Sequence, residues 1–180
     1  MKATEVRPTG VERTFGENEL IVSKTDPRGV ITYANDVFLR VSALSEAQAV
    51  GSPHNLIRHP DMPRAVFKLL WDTLEQRQEI FAYVLNLAAD GAHYWVFAHV
   101  TPSFDRSGRL LGYHSNRRRP AQSSITAIRE VYGRILTEER RQSRTPDAVA
   151  AGVAALQGML DERGLTYDEL VWRITDGGGA

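Results

Sequence analysis

Between Asn55 and Pro63 the chain reads Asn-Leu-Ile-Arg-His-Pro-Asp-Met-Pro, so that Pro60 and Pro63 hold Arg58, His59 and Asp61 between helix-forming segments. A proline fixes its own φ and restricts the residue before it, which biases His59 and Met62 towards extended geometry. The stretch therefore predicts a short helical turn, a fixed corner, and a new helix starting at Pro63. Three ionisable groups within four residues on a stiff corner keep a defined hydrogen-bonding geometry, suited to a polar ligand beside the core. The same residues also fit a surface loop in which Arg58 and Asp61 merely cap the flanking helices.

The segments on either side set the fold class. Leu20 to Thr25 is a short β-branched run, and Val30 to Ala34 is another. Between them Asp26-Pro-Arg-Gly29 is a turn: Asp caps it, Pro27 sets φ and Gly29 tolerates positive φ. Asn35 or Asp36 is placed to N-cap a helix carrying Val37, Phe38 and Val41. Ser45 to Ala49 predicts a further helical turn that ends at Gly51. After Pro63, the residues Val66, Phe67, Leu69, Leu70, Trp71 and Leu74 recur at helical spacing. Glu79 to Leu87 is a strand, Ala89-Asp90-Gly91 a hairpin turn, and His93 to Thr101 a second strand with strict alternation. Asp105 to Gly108 is another turn, and Leu110 to Ser115 a last strand. This order, β-β-α-α-α-β-β-β, is α+β with local antiparallel pairing around a helical insert.

Beyond Pro120 the pattern becomes helical. Ser123 to Leu136 carries Ile125, Ile128, Val131, Tyr132 and Ile135 on one face. Residues 138–144 are a polar extension or linker. Thr145-Pro146-Asp147 starts another helix that Gly164 ends, and Thr166 to Glu169 has the form of a capping box before Leu170, Val171 and Ile174. The C-terminal helices are too thin to hold a core alone and are expected to pack on the sheet, on each other or on a second copy. The expected division is a flexible or partner-dependent lead-in at 1–18, a sensor domain at 19–120 and a helical extension for dimerisation or partner docking at 121–176. Gly177 to Ala180 is expected to fray.

Charge and cysteine content narrow the function. Lys plus Arg number 22 and Asp plus Glu 22, with no Cys. A chain without net charge has no global field to recruit nucleic acid or an anionic membrane. The run Arg117 to Arg119 is therefore expected to be a solvated strand end or a docking patch. Without cysteine there is no disulfide, thiolate nucleophile or thiolate metal site. His93 and His99 share a strand face but lie about 20 Å apart along an extended strand, too far to share a metal. No apolar run reaches the length of a membrane span, and the N-terminus lacks a signal-peptide core, so the expected location is cytoplasmic. No nucleophile elbow or Gly-rich phosphate loop appears, and the chain is expected not to be an enzyme.

Taken together, Ile21 to Asp26, Ile31 to Asn35, Asn55 to Pro63, Leu70-Trp71, Tyr94 to Val96, Val100 to Pro102 and Gly112-Tyr113 resemble a PAS domain of the redox-sensing kind. That kind stands at the front of bacterial aerotaxis receptors and in free-standing relatives. The resemblance spans roughly residues 19–120 and implies a five-stranded antiparallel sheet with helices cupping one face. It implies FAD held non-covalently in that cup. By motif position the cofactor-binding residues it implies are Asn35, Arg58, His59, Asp61, Trp71 and Asn86. Ile80 stands where the aerotaxis receptors usually carry a Trp, and Leu87-Ala88-Ala89 replaces their basic residues. A haem-binding member usually supplies a His from the helix facing the sheet, and 63–78 contains none.

If a flavin is held, aliphatic and aromatic side chains bury its ring while amides such as Asn35 and Asn86 serve its polar edge. Arg58 beside the Pro63 helix start offers a cation and a helix N-terminus to the pyrophosphate. For Asn35 the alternative role is a helix cap, for Asn86 a cross-strand contact, and for Trp71 core packing. The leading expectation is a sensor that relays redox or oxygen state to a separate chemotaxis signalling protein or kinase and forms a homodimer, with the stripe Ile125 to Ile135 as the candidate switching element because it also suits dimerisation. The other is a cofactor-free PAS adaptor for dimerisation or protein docking.

Overall fold

A computed structural model describes residues 6–177. Five strands form one antiparallel sheet: β1 (Ile21–Thr25), β2 (Ile31–Ala34), β3 (Ile80–Leu87), β4 (His93–Phe104) and β5 (Leu110–Arg118). Their order across the sheet is β2-β1-β5-β4-β3. Short turns dictate the hairpins. Asp26 Oδ1 accepts from Arg28 N at 2.8 Å and Val30 N at 3.0 Å, and Gly29 adopts φ +79°, a conformation that favours glycine.

Three helices, α1 (Asp36–Ser42), α2 (Glu46–Ala49) and α3 (Arg64–Glu75), lie between β2 and β3 in sequence, with a 3₁₀ turn at His54–Ile57. Pairing of Ser23 with Ser115, Thr25 with Tyr113, Arg117 with Ala98, and Ala98 with Ala82 puts these side chains on the sheet face that the helices cover. The core on that face includes Ile21, Ile31, Phe38, Val41, Ile57, Val66, Leu74 and Ile80, each no more than 2% exposed.

Three C-terminal helices follow: α4 (Gln122–Arg140), α5 (Thr145–Arg163) and α6 (Tyr167–Thr175). They pack on the sheet and on each other. Ile125, Ile128, Val131, Tyr132 and Ile135 share one face as their spacing predicts, but that face is buried within the chain and is not free for the dimer contact expected of it. Tyr132 donates to the Tyr83 carbonyl at 2.6 Å and Trp172 lies over Phe81 at 4.9 Å. The β3 edge, which would otherwise offer free backbone groups, is covered in part by the Tyr132 hydroxyl and by a bridge between Arg58 and Asn86.

Three further expectations change. The last strand does not stop at Ser115, and Arg117 is not a solvated strand end: it is 5% exposed. The alternation that turns Tyr113 and Ser115 inward continues through Arg117. The helix expected to end at Leu136 runs to Arg140, and Glu139, expected in a polar linker, is 6% exposed. Glu139 lies four residues after Ile135, on the same buried stripe. The lead-in, expected to be flexible or partner-dependent, lies along the β3–β4 hairpin over its described residues. Thr9 N donates to Gly91 O at 2.9 Å and Arg13 N to His93 O at 2.7 Å, and Phe15 is buried. Residues 1–5 of that lead-in and 178–180 of the expected frayed end lie outside the described residues.

Candidate functional site

A cavity of about 230 Å³ opens between the inner sheet face and α3. Its walls are largely apolar. Phe67, Leu70, Trp71 and Leu74 come from α3 at successive turns of one face, and Val84, Ala98 and Val100 come from the sheet. Trp71, 39% exposed, stands edge-on to Tyr113 with ring centroids 5.4 Å apart. A side chain at Gly29 would have its Cβ 3.4 Å from the Trp71 ring, so the first turn abuts the same wall.

The polar groups of the cavity collect at two ends. At one, Asn86 is 4% exposed and its Nδ2 has no partner among the described residues. Arg58 is here too, its guanidinium 4.5 Å over the Phe67 ring and its Nη2 donating to the Met62 carbonyl at 3.3 Å. Burial lowers its pKa, with Arg64 adding to the effect and Glu139 opposing it.

At the other end are Arg117, Ser115, Ser23 and His54. Arg117 Nη2 donates to Ser23 Oγ at 3.0 Å and lies 2.7 Å from His54 Nε2. A guanidinium only donates, so His54 is neutral with its proton on Nδ1. Burial, then the Arg117 charge, push the His54 pKa down to about 3. Burial also brings the Arg117 pKa down to about 10. Arg117 Nη1 and Ser115 Oγ are buried without partners among the described residues. Among the described residues no carboxylate lines the cavity, and Arg117 forms no ion pair with any of them.

Of the six residues singled out from sequence, the structure brings Arg58, Trp71 and Asn86 together here. Asn35 is elsewhere: it N-caps α1, with its Oδ1 accepting from Phe38 N and from Val22 N at 3.0 Å each and its Nδ2 donating to Leu20 O at 2.8 Å. His59 and Asp61 face a second cleft with His93, Trp95 and Arg129. His59 Nδ1 accepts from Asp61 N at 3.0 Å, and its pKa is lowered by burial, with Asp61 opposing and His93 assisting. Asp61 pairs with Arg140 at 2.6 Å.

The N-terminus of α3 is not free for a phosphate. Glu139 Oε1 accepts from Ala65 N at 2.8 Å and Oε2 from Arg64 N at 3.0 Å. His54, Ser23, Ser115 and Arg117 are polar cavity residues that sequence reasoning missed. For the last two the period-two alternation of β5 was the available signal. No group of three or more His, Asp or Glu among the described residues gathers to hold a metal.

Residues 31–117 match the PAS fold family. The chain is 35% identical over 159 residues to the aerotaxis receptor of Escherichia coli (strain K12), covering 88% of this chain and 30% of that one. It is 36% identical over 97 residues to the nitrogen fixation regulatory protein of Klebsiella pneumoniae, covering 54% of this chain and 20% of that one. It thus spans less than a third of either relative. Among solved structures, a light-oxygen-voltage domain studied with a flavin analogue superimposes with a TM-score of 0.54 at 21% identity, over 68% of this chain and 87% of that one. The light state of the Aureochrome1 blue-light photoreceptor LOV domain gives 0.54 at 20% identity, over 64% and 91%. Strand order, helical cup and sequence agree: residues 31–117 have the PAS fold.

Proposed function

We propose that the cavity binds a flavin, FAD, and that the chain is a cytoplasmic sensor passing redox or oxygen state to a separate chemotaxis signalling protein or kinase. The observation that carries this reading is the set of three buried polar groups without partners among the described residues, Asn86 Nδ2, Ser115 Oγ and Arg117 Nη1, all on residues lining one otherwise apolar cavity. Leaving a buried donor unmade costs about 1–3 kcal/mol each, so such groups call for a ligand. A flat ring with a polar edge meets both needs. The likeness to aerotaxis and nitrogen fixation regulators, and to a light-oxygen-voltage domain studied with a flavin analogue, agrees with it.

The residues fit the group. Leu70, Leu74, Val84 and Val100 would bury the ring faces, and Asn86 and Ser115 would bond to its edges. At about 230 Å³ the cavity is just below the usual range of about 300–1,000 Å³ for ligand pockets. It suits a ring system, with the rest of the dinucleotide leaving by the mouth beside Asn55 and Trp71. A bound flavin would supply reversible electron uptake. His59 and Asp61 then act at a distance from the ring, by fixing the corner that carries Arg58.

The test is the visible spectrum of the purified chain, as isolated and after reconstitution with FAD. Flavin bands that bleach with dithionite are expected, and Asn86→Ala or Arg58→Ala retains less flavin. A chain that stays colourless overturns the sensor reading. It would favour the adaptor, for which the exposed Leu111, Tyr33 and Trp172, each 43–50% accessible, would offer docking surface.

A further inference from the structure

The two polar ends of the cavity are unlike in charge. The register places Arg117 opposite Ala98, and Ala98 opposite Ala82, four residues along β3 from Asn86. Four residues of strand are about 13 Å, so Arg117 and Asn86 serve different edges of any occupant. At the Asn86 end the nearby cation, Arg58, is stacked on Phe67, bonded to a carbonyl and influenced by the Glu139 carboxylate. At the Arg117 end no carboxylate is present among the described residues. The groups that face Arg117 are Ser23 from β1, the neutral His54 from the 3₁₀ turn, the Phe38 ring of α1 at 5.8 Å and the Tyr94 phenol of β4.

A buried cation without a counter-charge is costly, and its cost falls when an anion comes beside it. We propose that Arg117 determines which redox state of the occupant the cavity prefers: its free Nη1, beside Ser115 on the same face of β5, holds the edge on which negative charge appears when the ring is reduced. This inference rests on the flavin reading of the cavity. Electrons come from an external reductant, no bond to the protein forms or breaks, and Arg117 keeps its protons at neutral pH. His54 supports the arrangement: as a neutral acceptor for Nη2 it fixes the guanidinium plane and adds no second positive charge. The cavity thus holds reduced flavin more tightly, relative to oxidised flavin, than the same cavity without the Arg117 charge.

The experiment is an anaerobic dithionite titration of FAD bound to the full chain, comparing wild type, Arg117→Lys and Arg117→Gln. Arg117→Gln should weaken the hold on reduced FAD relative to oxidised FAD by tenfold or more, which is a fall in midpoint potential of about 30 mV or more for a two-electron couple. Arg117→Lys keeps the charge and should stay near wild type at neutral pH. Burial that brings the arginine down to about 10 brings a lysine in this position lower still, so the lysine loses its proton at a lower pH than the arginine. Raising the pH should therefore lower the potential of Arg117→Lys more steeply than that of wild type, and this comparison decides the matter even if Arg117→Gln holds no flavin. Equal potentials in wild type and Arg117→Gln, or parallel pH dependences in wild type and Arg117→Lys, overturn the role of Arg117 and leave the flavin reading intact. A wild-type chain that takes up no FAD overturns both.

Discussion

Arg117 and Glu139 are both charged and both nearly buried, at 5% and 6% exposure, yet they are satisfied to very different degrees. Glu139 reaches across from α4 and places one oxygen on each of two amides at the start of α3. The helix dipole adds to that attraction, and Pro63, the residue before the helix, supplies no side-chain cap. Gly152 of α5 closes over it: a Cβ there would lie 2.5 Å from Glu139 Oε1. Arg117 lines a cavity, spends one nitrogen on Ser23 and His54, and leaves another without a partner among the described residues. A buried charge whose bonds are complete holds the fold together. A buried charge that lines a cavity and keeps a spare donor is left open to a ligand.

The sharpest way to break this contrast is to remove each charge in turn. Glu139→Ala strips the start of α3 of its acceptors and opens a gap between α3, α4 and α5. Removing one partner of a buried charged interaction costs about 3–5 kcal/mol, and a loss of that order is expected in urea unfolding. Arg117→Gln, measured on protein stripped of flavin, removes a charge that has no counter-ion and should be neutral or stabilising to within about 1 kcal/mol. Similar losses from both substitutions would erase the distinction. Gly152→Ala probes the same clamp from the α5 side and should cost about 1–3 kcal/mol by overpacking.

A second comparison separates His54 from His59 by pH. His54 is held neutral, with its pKa at about 3 against an ordinary value of 6.5. Its folded pKa is depressed, so the unfolded chain binds the extra proton first as pH falls. The stability His54 confers as a neutral group is complete above about 6.5 and is lost progressively towards about 3. His59 is shifted in the same direction, but the nearby Asp61 opposes its shift. Unfolding followed from pH 7 to pH 4 should therefore flatten more in His54→Gln than in His59→Gln. The reverse order would mean that burial of His54, with the Arg117 charge beside it, is not what excludes the proton.

Much of this was legible in the chain. The turns at Asp26 to Gly29 and at Asp90-Gly91, the cap at Asn35 and the buried stripe of α4 follow from local chemistry that acts within a few residues. The polar ends of the cavity do not, because they are made by register between strands far apart in sequence. Arg117 shows both sides. The alternation from Tyr113 through Ser115 points it inward, but it stands in a run of three arginines, and a cation run is ordinarily solvated. The corner at 58–61 shows the limit more plainly. Its stiffness is a property of the two prolines, but which side each residue faces is fixed by α4 and the lead-in. Arg58 consequently enters the cavity while His59 and Asp61 face the second cleft.

That split gives the two smaller predictions. Asn35 binds three backbone groups and lies outside the cavity. Asn35→Ala should cost about 1–2 kcal/mol in stability, the usual penalty for a lost N-cap, with the same affinity for FAD once the folded fraction is taken into account. A selective loss of FAD at unchanged stability would return Asn35 to the binding site.

Asp61 should matter least. Its side chain is 55% exposed and Arg140 is 64% exposed, so their pair is screened and worth at most about 1 kcal/mol. The backbone of Asp61 does more than its carboxylate, because its N–H is what His59 Nδ1 accepts. Asp61→Asn keeps that N–H and should shift unfolding by less than about 0.5 kcal/mol, whereas Arg58→Ala at the same corner should empty the cavity of flavin. Equal flavin loss from both would mean that the corner responds as one unit, through the carboxylate's pull on Arg140 and α4, and that the two clefts are coupled across it.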